Sequence, residues 1–191
     1  MLLGFDQDLF FFINHDMSNG VLDSIALFLR NRFTWIPLYV LAGVVIAVKW
    51  RWQGVAIILM AALTAVLTDY TSSGIIKPMV ERLRPCNDPT VPAQVNLLLD
   101  KCGAGYSFPS SHAANHFGLA LFFSWLWGRR FRWLSPVLIT WALLIGVSQI
   151  YVGVHYPFDI FGGAVVGAAI SLLTWLLLKR IILPRIRHDI S

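Results

Sequence analysis

Residues 54–76 read GVAIILMAALTAVLTDYTSSGII, a 23-residue run whose only charge is Asp69. About 20 mostly apolar residues are needed for a helix to cross the hydrocarbon core of a bilayer, so this run is long enough to span one. On both sides the chain repeats the pattern. Phe33–Val48 precedes it, and Ala113–Trp127, Leu134–Gln149 and about Phe158–Leu183 follow, giving five candidate spans. Between them stand KWRWQ, a long polar loop, GRRFRW and a short stretch around His155. With 57% apolar residues, 13% charged residues and a mean hydropathy of +0.67, the 191-residue chain holds more apolar surface than one small soluble core can hide. We therefore expect an all-α integral membrane protein, a bundle of about five transmembrane helices in a single domain over 1–191.

Charge orients the bundle. One side, made of 49–53, 128–133 and the tail after Leu178, carries nine basic residues (Lys49, Arg51, Arg129, Arg130, Arg132, Lys179, Arg180, Arg185 and Arg187) and one acid, Asp189. The other side holds six basic residues and nine acids. By the positive-inside rule the first side, with the C-terminus, is cytoplasmic, and the 77–112 loop is extracytoplasmic. Residues 1–32 lack the basic start and cleavage site of a secretory signal, and Asp6, Asp8, Asp16 and Asp23 interrupt their apolar pattern, so they read as interfacial helices. A sixth crossing near 21–29 is the alternative. Cys86 and Cys102 both lie in the extracytoplasmic loop, where an oxidising compartment lets them pair as a disulfide. The net charge of +5 comes without any nucleic-acid motif, and the basic residues fall between spans, so no nucleic-acid partner is expected. Neither is an obligate protein partner.

Titratable residues at span ends are functional candidates by default. Three groups gather on the outward side. Lys77 and Arg84 lie seven residues apart, a spacing that on a helix bracketed by Pro78 and Pro85 puts both cations on one face. Phe108-Pro109-Ser110-Ser111-His112 stands at the start of the third span, where a Ser N-cap and the free amides of a helix N-terminus suit an anion. Ser148-Gln149 and His155, Pro157 and Asp159 join the fourth span to the fifth, and a carboxylate four residues on can orient an imidazole and raise the basicity of its other nitrogen. His112 and His116, with His155 and Asp159, also offer a metal-ligand spacing, weakened by the two cations beside them. Gly162, Gly163 and Gly167 read as close helix packing. His15 and His188 carry no constellation.

In their order and sidedness these groups resemble the type-2 phosphatidic acid phosphatase family of integral membrane lipid phosphatases, with signatures K-x6-R-P, P-S-G-H and S-R-x5-H-x3-D. The first matches in full at Lys77, Arg84 and Pro85. The second has Ser111 where the family usually has Gly, and the third has Gln149 where the family has Arg. The resemblance implies that His155 attacks phosphorus to form a phosphohistidine, that Asp159 orients its ring, and that His112 protonates the leaving oxygen and then activates water. It implies substrate binding by Lys77, Arg84, Ser110, Ser111 and Gln149, with no metal or other cofactor. It further implies a bacterial inner-membrane enzyme acting on a membrane lipid phosphate, with undecaprenyl diphosphate ranked first and phosphatidylglycerol phosphate and lipid A 1-phosphate next. Ser111 retains its backbone N–H, but Gln149 replaces a charged fork by a neutral amide. That loss motivates the competing reading of a non-catalytic lipid-phosphate-binding or transport protein on the same scaffold.

Overall fold

The structure is a computed structural model that describes residues 2–91, 95–182 and 184. Leu183, Arg185, Arg187, His188 and Asp189, which enter the span and charge expectations above, lie outside the described residues. Among the described residues every regular element is helical, as expected. Two short helices, α1 (Leu2–Phe11) and α2 (Gly20–Arg30), precede the long α3 (Arg32–Asp69), whose helical turns run on through a π segment to Ile76. After α4 (Lys77–Val80) and a long loop come α5 (Ser111–Trp127), α6 (Leu134–Tyr151) and α7 (Pro157–Leu177).

The first two spans are the arms of α3. Arg51 adopts φ 50° and ψ −124°, breaking the helix inside KWRWQ. Along a straight helix Ile46 and Gly54 would be about 12 Å apart. Here a methyl group at Gly54 would collide with the Ile46 carbonyl, so the chain doubles back at Arg51 and glycine lets the arms touch. Ile46, Ile57 and Met60 then close one apolar cluster with Phe122 of α5 and Leu178 beyond α7. Among the described residues three helical stretches are long and apolar enough to cross a membrane, the first containing both arms of α3. With 17 residues α5 is slightly shorter, in keeping with the brief third span read from sequence. The 11-residue α2 would reach only about 16 Å, too short for a sixth crossing.

Helices α5 and α7 form the centre. A Cβ on Gly167 would lie 2.6 Å from the Ala114 carbonyl oxygen and 2.7 Å from the Gly118 nitrogen, and one on Gly163 would strike the Ser110 carbonyl. The two backbones therefore touch, which is the close packing expected of these glycines. Polar ties fix the remaining registers: Thr64 and Thr174 hydroxyls meet at 2.7 Å, and Thr68 donates to Asn115 Oδ1 at 2.5 Å. At the other end, α1 and α2 pack on the bundle. Phe10 is fully buried against Tyr156, Ala113 and Ile160, while Ala26 packs with Tyr151, Val152 and Val154.

Candidate functional site

Local sequence builds each part of the site. Pro157 opens α7, because a residue with fixed φ and no N–H is tolerated in a first turn. The Asp159 carboxylate then reaches back to accept from the Tyr156 N–H at 2.8 Å. That cap leaves His155 just outside the helix, its Nδ1 3.3 Å from Asp159 Oδ2. On the opposite edge of the ring, Nε2 lies 3.3 Å from Arg84 Nη1. His155 is 3% exposed and Asp159 fully buried. Burial holds the His155 imidazole below its usual range, against the opposing pull of Asp159. The ring is therefore neutral near pH 7, and Asp159 selects the tautomer with the proton on Nδ1 and the lone pair on Nε2.

Lys77 and Arg84 do not share a helical face, contrary to the expectation from their spacing. The helix stops after Val80, where Glu81 takes the left-handed conformation at φ 52°, and Arg84 is extended at ψ 150°. The cause is local: the residue before a proline is pushed out of the helical region, so Pro85 straightens Arg84 instead of bracketing a helix. The extended segment turns Arg84 inward, where its guanidinium donates to the carbonyls of Ala104, Gly105 and Val154. Lys77 remains half-buried at the end of the second span. Burial, then the Arg84 charge, lowers its pKa to about 8.

Ser110 caps α5, its Oγ accepting from the Ala113 N–H at 3.4 Å, while its own N–H donates to the Asp159 carbonyl at 2.9 Å. The start of α5 is thus bonded directly to the start of α7. The Ser111 hydroxyl meets Ser73 Oγ at 2.7 Å and accepts from Ser72 Oγ at 3.1 Å, joining α5 to the second span. His112 follows in the first turn, its ring nearly parallel to that of His116 at 6.4 Å. Gln149 is buried on α6 with its amide nitrogen unpartnered. Among the described residues, no three of His, Cys, Asp and Glu converge as metal ligands. Cys86 and Cys102 form a disulfide, with Cα atoms 5.9 Å apart, that ties down the loop carrying Arg84.

Three supporting residues escaped the sequence reading. Arg82 donates to Asp159 Oδ1 at 2.8 Å and to Asp6 Oδ2, and stacks over the Tyr156 ring at 4.1 Å. Asp6 is fully buried and also accepts from the Phe158 N–H at 2.8 Å. Tyr156 in turn donates to Asp88 Oδ2 at 3.1 Å. An acid inside the apolar run LLGFDQDLFF was the one available signal for Asp6, since a carboxylate there requires a partner.

The chain is 33% identical over 155 residues to a lipid A 4'-phosphatase of Bacteroides thetaiotaomicron, covering 78% of this chain and 68% of the relative. It is 29% identical over 179 residues to an undecaprenyl-diphosphatase of Sulfolobus acidocaldarius, covering 90% and 78%. Its fold is similar to the crystal structure of a transmembrane PAP2-type phosphatidylglycerolphosphate phosphatase from Bacillus subtilis, with a TM-score of 0.71, 19% identity, and coverage of 94% and 87%. Residues 54–182, which include every catalytic and substrate-binding candidate named from sequence, match the PAP2 superfamily, and the chain belongs to that superfamily.

Proposed function

We propose that the chain is a metal-independent lipid phosphatase acting at the outer face of the inner membrane, working through a phosphohistidine at His155. The observation that carries this reading is the setting of the His155 ring, with a buried carboxylate on Nδ1 and a guanidinium at Nε2. In the first step the Nε2 lone pair attacks phosphorus while the bond to the lipid oxygen breaks; His112, which burial keeps neutral before substrate binds with a pKa of about 3, takes up a proton with the anionic substrate and gives it to that oxygen. In the second, water attacks phosphorus as His112 takes its proton, and the N–P bond breaks to release phosphate. Asp159 holds the ring and balances the imidazolium charge. Lys77, Arg84, Ser110 and the free amides at the start of α5 hold the phosphoryl oxygens, the electrostatic work phosphoryl transfer chiefly needs.

The excess of basic residues on 49–53 and 128–133 supports an outward-facing site. For the substrate, the 33% identity to a lipid A 4'-phosphatase favours a lipid A phosphate, ahead of the undecaprenyl diphosphate ranked first on sequence. Undecaprenyl diphosphate stays as the second reading because of the relative that covers 90% of the chain. The test is phosphate release by detergent-purified protein from lipid A, undecaprenyl diphosphate and phosphatidylglycerol phosphate, with chelator present. Release that persists in chelator and disappears in a folded His155→Ala variant is expected. A folded native chain that releases nothing from any lipid would overturn the reading in favour of a binding protein.

A further inference from the structure

The end of α2 is tied to the site through a run of ring contacts. The Leu29 carbonyl accepts from Trp35 Nε1 at 2.8 Å, Trp35 meets Trp141 edge-on at 5.3 Å, and Trp141 meets His116 at 5.0 Å. The His116 ring lies over that of His112, and its Nδ1 is 2.8 Å from the His112 carbonyl. This run of contacts links the end of α2, where Arg30 follows Leu29, to the His112 side of the site. Arg30 Nε is buried with no hydrogen-bond partner, and among the described residues no carboxylate pairs with this guanidinium. Burial and the Arg84 charge both disfavour its protonated form, and its charge adds to burial, His116 and His155 in lowering the His112 pKa.

Three cations, Arg30, Lys77 and Arg84, therefore share one half-buried region. Asp159 acts on Lys77 and Arg84, and Asp69 on Lys77, but Asp159 is already shared with Arg82, His155 and the Tyr156 N–H. Arg82 makes the contrast, since it sits between two carboxylates. Like charges in a poorly solvated site repel strongly, and an anion of at least two charges removes that repulsion. Gln149, whose buried amide nitrogen also lacks a partner, provides a donor on the neighbouring α6 but no charge. We propose that Arg30 is a phosphate-binding residue, gripping the phosphoryl group of the substrate from the His112 side while Arg84 grips it from the His155 side. The assignment rests on the phosphatase reading and adds to it a charge contributed from outside the three sequence signatures.

The test uses orthovanadate, which mimics the phosphoryl group, and reads binding apart from turnover. Detergent-purified native protein, Arg30→Lys and Arg30→Gln are titrated calorimetrically with vanadate, and each is assayed for phosphate release and thermal unfolding. Arg30→Gln should weaken vanadate binding about tenfold or more and raise KM more than it lowers kcat, with little change in unfolding, because a charged hydrogen bond is lost at the ligand. Arg30→Lys should fall within about threefold to tenfold of the native chain, keeping the charge but not the fork. Native affinity in a folded Arg30→Gln overturns the assignment. A second arm needs no variant: vanadate should protect Arg30 of the native protein from phenylglyoxal, read by peptide mass, and equal modification with and without vanadate overturns it as well. A native chain that binds vanadate but releases no phosphate from any lipid would sink the phosphatase reading while leaving Arg30 as an anion ligand.

Discussion

Arg82 shows how one side chain holds the site together. It joins a carboxylate from the first ten residues, Asp6, to one from the start of α7, Asp159, and both acids are fully buried. Removing the middle partner strands two buried charges, which costs on the order of 3–5 kcal/mol. Arg82→Leu should therefore lower the thermal midpoint in detergent and also reduce phosphate release, because Asp159 loses the partner that holds it under His155. An unchanged midpoint would mean that the triad contributes no stability. Two pH limits follow from single groups. The His155 pKa lies below the ordinary imidazole range, so its lone pair survives into mildly acidic solution and kcat/KM should fall only when the pH drops below that range. The same sign holds for folding: protonation is favoured in the unfolded chain, so this contribution to stability is complete above the ordinary imidazole range and is lost as the pH falls. Lys77 sets the other limit. With a pKa of about 8 it loses its charge above that pH, and kcat/KM should decline there. Lys77→Arg should move the alkaline limb upward, and a limb that does not move would remove Lys77 from the phosphate site.

Between elements, the α5–α7 contact carries most of the geometry. The nucleophile candidate sits just before α7 and the cap and second histidine at the start of α5, so their separation depends on two backbones in contact at Gly163 and Gly167. Gly167→Leu must push a branched side chain against the Ala114 carbonyl and should cost about 1–3 kcal/mol, or shift α7. Thermal unfolding and phosphate release measured together should both fall, although residue 167 touches no substrate. The disulfide acts on the other element of the site, the loop that delivers Arg84. Closing 16 residues of chain is worth about 3 kcal/mol in the chain-entropy model, so Cys86→Ser with Cys102→Ser should lower stability by that order, and retention of the native midpoint would contradict it.

For the whole molecule, surface chemistry reads the orientation of the bundle. The native cysteines are paired, so a single introduced thiol reports its side. Met79→Cys, at a position 78% exposed beside Lys77, should react with an impermeant maleimide in intact cells, whereas Arg130→Cys should react only after lysis. The inverse pattern would put the site on the cytoplasmic face and with it a different pool of lipid phosphates.

What the sequence determined alone was whatever depends on local order. Apolar runs of membrane length identify spans, Pro157 marks the start of a helix, and the four-residue step from His155 to Asp159 is short enough for the two to meet without knowledge of the fold. Even the reach of the disulfide was legible from two cysteines on one side. Locality also explains the misreading of Lys77 and Arg84, where helical spacing was assumed across a segment that Glu81 and Pro85 unwind. Only the tertiary structure decided that Arg84 faces the His155 Nε2 and that Asp6 and Arg82 buttress Asp159 across more than seventy residues. Such contacts depend on how helices pack, and packing is set by side-chain shape and burial over distances that no sequence period encodes.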